Sequence, residues 1–405
     1  MRLSAPESIP GPEIPARSRI LRMDKNPKLF QWVEIERKAL IHNVRQFRLL
    51  AGPRTRLLAV VKGNAYGHGM GEVAKIALKG GADWLGVNSV EEGISLRNTG
   101  IGAPILVLGA TLLCDLEKAL RSDLHLTIYN RQTIEELGRL VSKLKKRAHV
   151  HIKVETGTYR QGVRPEDLPR FAKQILKHPG LELAGVSSHF ANIEDTTSTA
   201  YPELQLNSFL AAFEELRRER IAVPLKHMSC TASSILFPET HFDMIRVGIG
   251  LYGLWPSRET FVSCRLQKRE PLELRPVLSW RARIAQLRSA PKGSFIGYGC
   301  TYKTTRAARL AVIPVGYYDG YPRSLSNSAH VLVRGRRAAV RGRVAMNFIV
   351  ADVTDIPAVR LEDEVTLIGR DGREAISVDS LASLAGTISY EMISRINPLV
   401  PRIYV

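Results

Sequence analysis

The chain reads as an α/β protein in which a (β/α)8 TIM-type barrel is followed by a second, mostly β C-terminal domain. Three observations carry that reading. Between about residue 56 and residue 254, eight short apolar runs alternate with stretches of helical period, as consecutive βα units do. From about residue 270 the period falls to two, and Gly and Asp turns such as Asp371-Gly372 separate the runs. Lysine, arginine, histidine and hydroxyl residues recur just past the apolar runs, where a barrel presents its working groups.

Taken in order, residues 1–30 are rich in proline and aperiodic, and read as a flexible extension. Residues 31–40 supply a strand, Trp32 to Ile35, expected to join the C-terminal domain. Residues 41–255 form the barrel, with strands over Leu57–Val61, Trp84–Asn88, Ile105–Leu108, Leu124–Ile128, Val150–Val154, Leu183–Ser187, Leu225–Met228 and Met244–Ile249. Amphipathic segments lie between most of them, among them Glu72–Lys79 and Gln132–Leu144. Eight units favour closure over an open sheet. Residues 256–405 form the β-rich domain, with strands over Leu278–Gln286, Leu310–Val315, His330–Arg334 and Val344–Val350.

Length and composition narrow the class. A chain of 405 residues that is 44% hydrophobic can bury two cores. It has no run of 18 apolar residues, and its first thirty lack the apolar centre of a secretory signal, so a cytoplasmic location and no membrane partner are expected. Cys114, Cys230, Cys264 and Cys300 are far apart and without zinc spacing, which reads as reduced thiols and no metal. The net charge of +19 raises nucleic acid as a partner. The basic clusters argue against it: Lys143 to Arg147 closes a helical segment, Arg217, Arg218 and Arg220 follow Glu214 and Glu215, and Arg334 to Arg343 alternate as on the wet face of a hairpin. No aromatic stacking platform accompanies them.

The chemistry starts at Ala59-Val60-Val61-Lys62-Gly63-Asn64-Ala65-Tyr66-Gly67-His68-Gly69, where an apolar strand delivers one lysine into a turn. A lysine there is costly to bury as a cation, so it serves an ion pair or a Schiff base with a carbonyl cofactor, pyridoxal 5'-phosphate foremost. Gly63, Gly67 and Gly69 permit positive φ and close backbone approach. Lys153, Arg160, His189, His227, Thr231 and Arg246 converge on the same rim.

These motifs, in colinear order from Trp32 to the closing Val-Pro-Arg-Ile-Tyr, resemble those of alanine racemases, pyridoxal-phosphate enzymes of fold type III. The resemblance implies that Lys62 carries the cofactor, and that Thr231, Gly248, Tyr66 and Tyr390 bind it with His189. It implies that Arg246 faces its pyridine nitrogen, a cation that leaves that nitrogen neutral and weakens the electron sink. In His151-Ile-Lys153-Val-Glu155-Thr156-Gly157-Thr158-Tyr159-Arg160, it implies that Arg160 reaches the cofactor and the substrate carboxylate, and that Lys153 is the lysine often carbamylated to orient it. Inversion needs a second base on the opposite face. By resemblance that base is Tyr298 of Gly297-Tyr298-Gly299-Cys300-Thr301-Tyr302, arriving from the other subunit of a homodimer, with Tyr317 at the entrance and the Met346 N–H on the substrate carboxylate. A phenol titrates near ~10, so the tyrosine needs cations beside it, a part the family gives to His189 and Arg246.

The activity implied is interconversion of L- and D-alanine, supplying D-alanine for peptidoglycan. Gly63 and Thr231 are small departures from the usual family residues; Glu155, Thr158, Tyr159 and Asn347 also depart, and because of these four a racemase of broader or different amino-acid specificity is the alternative, followed by a decarboxylase of related fold. A single-domain pyridoxal-phosphate homeostasis protein would lack the β-rich domain and Tyr298. Thr231 also reads as a plain helix N-cap, which is compatible with phosphate binding.

Overall fold

The computed structural model describes residues 28–267 and 272–405, so the extension expected over 1–30 lies almost wholly outside the described residues. Strand β1 (Gln31–Ile35) comes first. Eight parallel strands follow: β2 (Arg56–Val60), β3 (Trp84–Val87), β4 (Ile105–Val107), β5 (His125–Ile128), β6 (Ala148–Lys153), β7 (Leu181–Ser187), β8 (Leu225–His227) and β9 (Met244–Val247). Their ladder runs from β8 through β7, β6, β5, β4 and β3 to β2 and then β9. The gap between β8 and β9 is bridged where the Asp243 N–H donates to the Lys226 carbonyl at 3.0 Å and the Arg246 N–H to the Ser229 carbonyl at 3.1 Å. The result is a nearly closed barrel.

Its strands alternate between an outer face, where Leu57, Ala59 and Val61 pack on the helical ring, and an inner face. The inner face is divided. Leu58, Val60, Leu106 and Met244 form a small apolar cluster on one side. On the other, His149, His151 and Lys153 follow the period of two along β6, with His125, His227 and Arg246 facing them. The helix Arg37–Ala51 packs on the helix Met70–Gly80, so the helical ring begins at Arg37.

Beyond the barrel lies a ten-stranded, mostly antiparallel sheet. β1 belongs to it, antiparallel to Leu278–Arg283 and parallel to the closing strand Arg402–Tyr404, so both ends of the described chain meet in one sheet. Two expected strands need correction. Leu278–Gln286 is two strands, because Leu278–Arg283 pairs with β1 and with Glu364–Asp371, while Gln286–Ala290 pairs with Ala308–Ile313. Val344–Val350 is a strand only from Ile349 to Asp352. Before that, the carbonyls of Ala345 and Met346 accept the N–H groups of Tyr317 and Tyr318 at 3.0 Å, which uses them for a loop contact rather than a ladder. The basic hairpin is present as His330–Val333 and Arg336–Val340, with Arg334 paired to Asp363 and Arg337 to Glu374. Among the described residues, no helix is long and apolar enough to cross a membrane.

Candidate active site

Lys62 does not end a strand. β2 stops at Val60, and Lys62 opens a turn in which Gly63, Asn64, Ala65 and Tyr66 all take left-handed backbone angles, φ 62°, 53°, 54° and 52°. Three non-glycine residues held there cost energy that the surroundings must offset. Three contacts do so: Glu92 Oε1 accepts the Gly63 N–H at 2.7 Å, Asn64 Oδ1 accepts the Met70 N–H at 3.0 Å, and the buried His68 ring bonds the Ala65 and Tyr66 carbonyls. Gly67 and Gly69, both at positive φ, let the end of the turn lie against the Ile393 carbonyl and the Tyr404 hydroxyl. That contact ties the Lys62 turn to the helix Ser389–Ser394, which carries Tyr390.

A cavity of about 590 Å3 opens at the C-terminal rim of the barrel, and Lys62, Tyr66, Arg160, His189, Thr231, Arg246, Gly248 and Tyr390 all line it. Burial, and then the charge of Arg160, lower the Lys62 amine from its ordinary value, and Glu92 opposes them. Desolvation disfavours the ammonium form, so the neutral nucleophile is more available than on a surface lysine. Arg246 is buried and fully engaged: it donates to His227 Nδ1 at 2.9 Å, to the carbonyls of Ser188 and Met228 at 2.8 and 3.0 Å, and to His189 Nδ1 at 3.2 Å. Burial pulls its guanidinium down to about 10, still protonated at neutral pH. His189 is held well below the usual histidine range by burial, and then by Lys153, Arg246, Arg160 and Lys62.

Thr231 is not a helix N-cap. Cys230 occupies that position, its N–H bonded to Ser233 Oγ at 2.8 Å, and Thr231 is the first helical residue, with Oγ1 accepting the Gly248 N–H at 3.0 Å. Gly248 in turn makes room for Tyr66: a Cβ there would stand 2.5 Å from the Tyr66 hydroxyl. Tyr390 donates to Glu194 Oε1 at 2.7 Å, and burial raises the Glu194 carboxyl while that bond lowers it.

On the far side of Arg160, Glu155 organises the loop. Its Oε1 accepts the N–H groups of Gly157 and Thr158 at 2.6 Å each, and its Oε2 accepts that of Arg160 at 3.0 Å. Burial raises its pKa, and the N–H groups of Gly157, Tyr159 and Arg160 outweigh that and hold it at about 2. Lys153, at the end of β6, is pushed well below the usual lysine range by burial, then by Arg246 and Arg160, with Glu155 opposing.

Besides Lys153, three expected site residues are not among those lining this cavity. Tyr298 sits in the turn of a short hairpin, Phe295–Ile296 with Tyr302–Lys303, and is 75% exposed. Its neighbour Gly299 lies against the Arg343 guanidinium, and Tyr317 and Met346 are joined through the Tyr317–Ala345 and Tyr318–Met346 backbone bonds. Tyr298, Tyr317 and Met346 are all exposed on the β-rich domain, as are Tyr318 and Phe348. Glu92, Glu194 and Cys230 were not foreseen as parts of the site. The first had a signal, an acid in the first turn of a helix capped by Ser89.

Comparison with known proteins agrees with this geometry. The family model described as "Alanine racemase, N-terminal domain" matches residues 35–256, and "Alanine racemase, C-terminal domain" matches residues 277–404. An alanine racemase of Halothermothrix orenii is 42% identical over 373 residues, 92% of this chain and 96% of that one. Among solved structures, alanine racemase from Streptomyces lavendulae is 32% identical with a TM-score of 0.87, covering 94% of this chain and 98% of that one. The Bacillus anthracis enzyme with bound L-Ala-P is 36% identical with a TM-score of 0.86, covering 93% and 95%.

Proposed function

The chain belongs to the alanine racemase family and is an isomerase that interconverts L- and D-alanine; we propose that the α-proton moves between Lys62 on one face and Tyr298 of the partner subunit on the other. The observation that carries the proposal is the division of the two bases. Lys62 enters the cavity with its amine lowered, while Tyr298 stands exposed on a separate surface where it can serve a second subunit. The exposure of Tyr298, Tyr317, Tyr318, Met346 and Phe348 on the β-rich domain supports a homodimer that covers them.

The donor set fits pyridoxal 5'-phosphate. A lowered amine suits its carbonyl, hydroxyls of Thr231, Tyr66 and Tyr390 beside Gly248 suit its phosphate, and the buried cations suit its negative charge. Bound there, it supplies the electron sink that makes the α-proton of the substrate removable. Arg246, a protonated guanidinium, would face the ring where the decarboxylase reading expects an acidic partner for the pyridine nitrogen, which argues against that reading. Arg160 holds the substrate carboxylate, with the Met346 N–H of the partner subunit, and Tyr317 of the partner subunit narrows the entrance. Burial, then Arg246 and Arg160, disfavour the charged form of Lys153; the neutral amine is the form that adds to carbon dioxide, and the carbamate so formed, with a proton released, would be an anionic acceptor for Arg160.

Thr158 and Arg160 line the cavity, and between them in the chain Tyr159 is 90% exposed, with φ 49°. These observations favour a second reading in which side chains larger than methyl are also accepted. Racemisation rates over a panel of L-amino acids test both: turnover confined to residues other than alanine overturns the first. We assign the enzyme to the cytoplasm, where its D-alanine serves cell-wall synthesis.

A further inference from the structure

Three histidines inside the barrel join Arg246 in one hydrogen-bonded column. Arg246 Nη1 lies 2.9 Å from His227 Nδ1, His227 Nε2 lies 3.0 Å from His151 Nδ1, and His151 Nε2 lies 3.3 Å from His125 Nδ1. The column runs the length of the barrel. Arg246 and His227 belong to the rim, whereas His125 is the first residue of β5 at the floor. There the His149 ring stacks on His125 at 4.6 Å, Trp84 meets it edge-on at 4.5 Å, and His149 faces Glu182 at 3.3 Å.

A guanidinium donates and never accepts. His227 Nδ1 therefore accepts, its proton sits on Nε2, and that proton is donated to His151 Nδ1. The same step repeats from His151 to His125. One donor-only group at the rim thus fixes three tautomers and requires three neutral rings. Burial, the largest influence on each ring, independently favours the neutral form of all three.

We propose that His125 is a positioning residue for Arg246, acting through His151 and His227. A second proton taken up by His125 at the floor turns its Nδ1 into a donor, removes the acceptor of His151, and loosens the hold on Arg246 at the rim. The groups that set that event face His125 from neighbouring elements: Asp123 favours the proton, while burial, His149 and Arg97 oppose it and bring His125 to about 4. The direction of the hydrogen bonds stands on geometry alone, and only the kinetic consequence rests on the reading of Arg246 as a cofactor-facing group.

The test uses 15N-histidine-labelled holoenzyme in solid-state NMR, with His125→Asn and His125→Phe prepared alongside. At neutral pH the three rings are expected to be neutral and protonated on Nε2. Acidification is expected to move the His151 and His227 nitrogens in the same step in which His125 titrates, and His125→Asn to abolish that joint step. In kinetics, His125→Phe is expected to lose roughly fivefold in kcat with KM changed less than about twofold, and His125→Asn, whose carboxamide oxygen can accept from His151, to recover most of the loss. A proton on Nδ1 of His151 or His227, independent titration of the three rings, or an unchanged kcat in His125→Phe overturns the proposal. If His125→Phe does not fold, the spectra of the parent and of His125→Asn decide. A parent protein that fails to racemise alanine overturns the functional reading instead, and the nitrogen spectra still test the column.

Discussion

Glu92 Oε1 accepts the backbone N–H of Gly63, one residue past Lys62, at 2.7 Å, and its Oε2 accepts that of Asn88 at 2.6 Å. One carboxylate thereby ties the end of β3 to the left-handed turn behind Lys62, and is the anion that raises the Lys62 amine against burial and Arg160. In Glu92→Gln the amide can satisfy one N–H but turns its NH2 toward the other, costing about 1–3 kcal/mol. The lost charge lowers the Lys62 amine further. The pH dependence of cofactor capture by the cofactor-free variant is expected to shift to lower pH; an unshifted profile would mean that Glu92 braces the turn without tuning the amine.

Gly248→Ala tests the phosphate end. The added Cβ falls 2.5 Å from the Tyr66 hydroxyl. Equilibrium titration with pyridoxal 5'-phosphate is expected to show affinity reduced at least about tenfold, the worth of one strong hydrogen bond. Unchanged affinity would remove Tyr66 from the phosphate site.

Glu155 sets a pH dependence of stability. Its folded pKa of about 2 is below the ordinary value for glutamate near ~4.3, so the unfolded chain binds the proton more readily. Its stabilisation is fully present above the ordinary value and is lost as pH falls through about 2. Melting curves of the parent and Glu155→Gln are expected to differ at neutral pH and to converge toward pH 2; a constant gap would assign the difference to packing.

Much of this was legible in the sequence because barrel strands announce themselves. Eight buried apolar runs were readable, and the period-two pattern of the second domain marked its class. What escaped were features set by partners distant in the chain. The split at Ile284 arises because flanking segments pair with different strands, and residues 344–348 became a loop because Tyr317 and Tyr318 claim their carbonyls. Site residues on the barrel rim followed from strand order. Glu194, reached through Tyr390, had no local sign. The histidine column did have one, His149, His151 and Lys153 on alternate positions of one strand, and only the fold reveals that His125 and His227 extend it.

The division of the bases predicts distinct phenotypes. Lys62→Ala is expected to lose the visible absorbance of the lysine-bound cofactor, while Tyr298→Phe retains it and loses on the order of 10²–10⁴-fold in racemisation, as expected for removal of a general acid–base group. A Tyr298→Phe protein that racemises at the parent rate would leave the second face without its base.

The most direct test mixes those two variants under conditions that exchange subunits. Each heterodimer then holds one site with an intact Lys62 from one subunit and an intact Tyr298 from the other, and a random equal mixture contains about a quarter of the parent's complete sites. Racemase activity returning to roughly that fraction is the expected result. Mixtures that exchange subunits yet stay as inactive as their two components would contradict a site shared across the dimer.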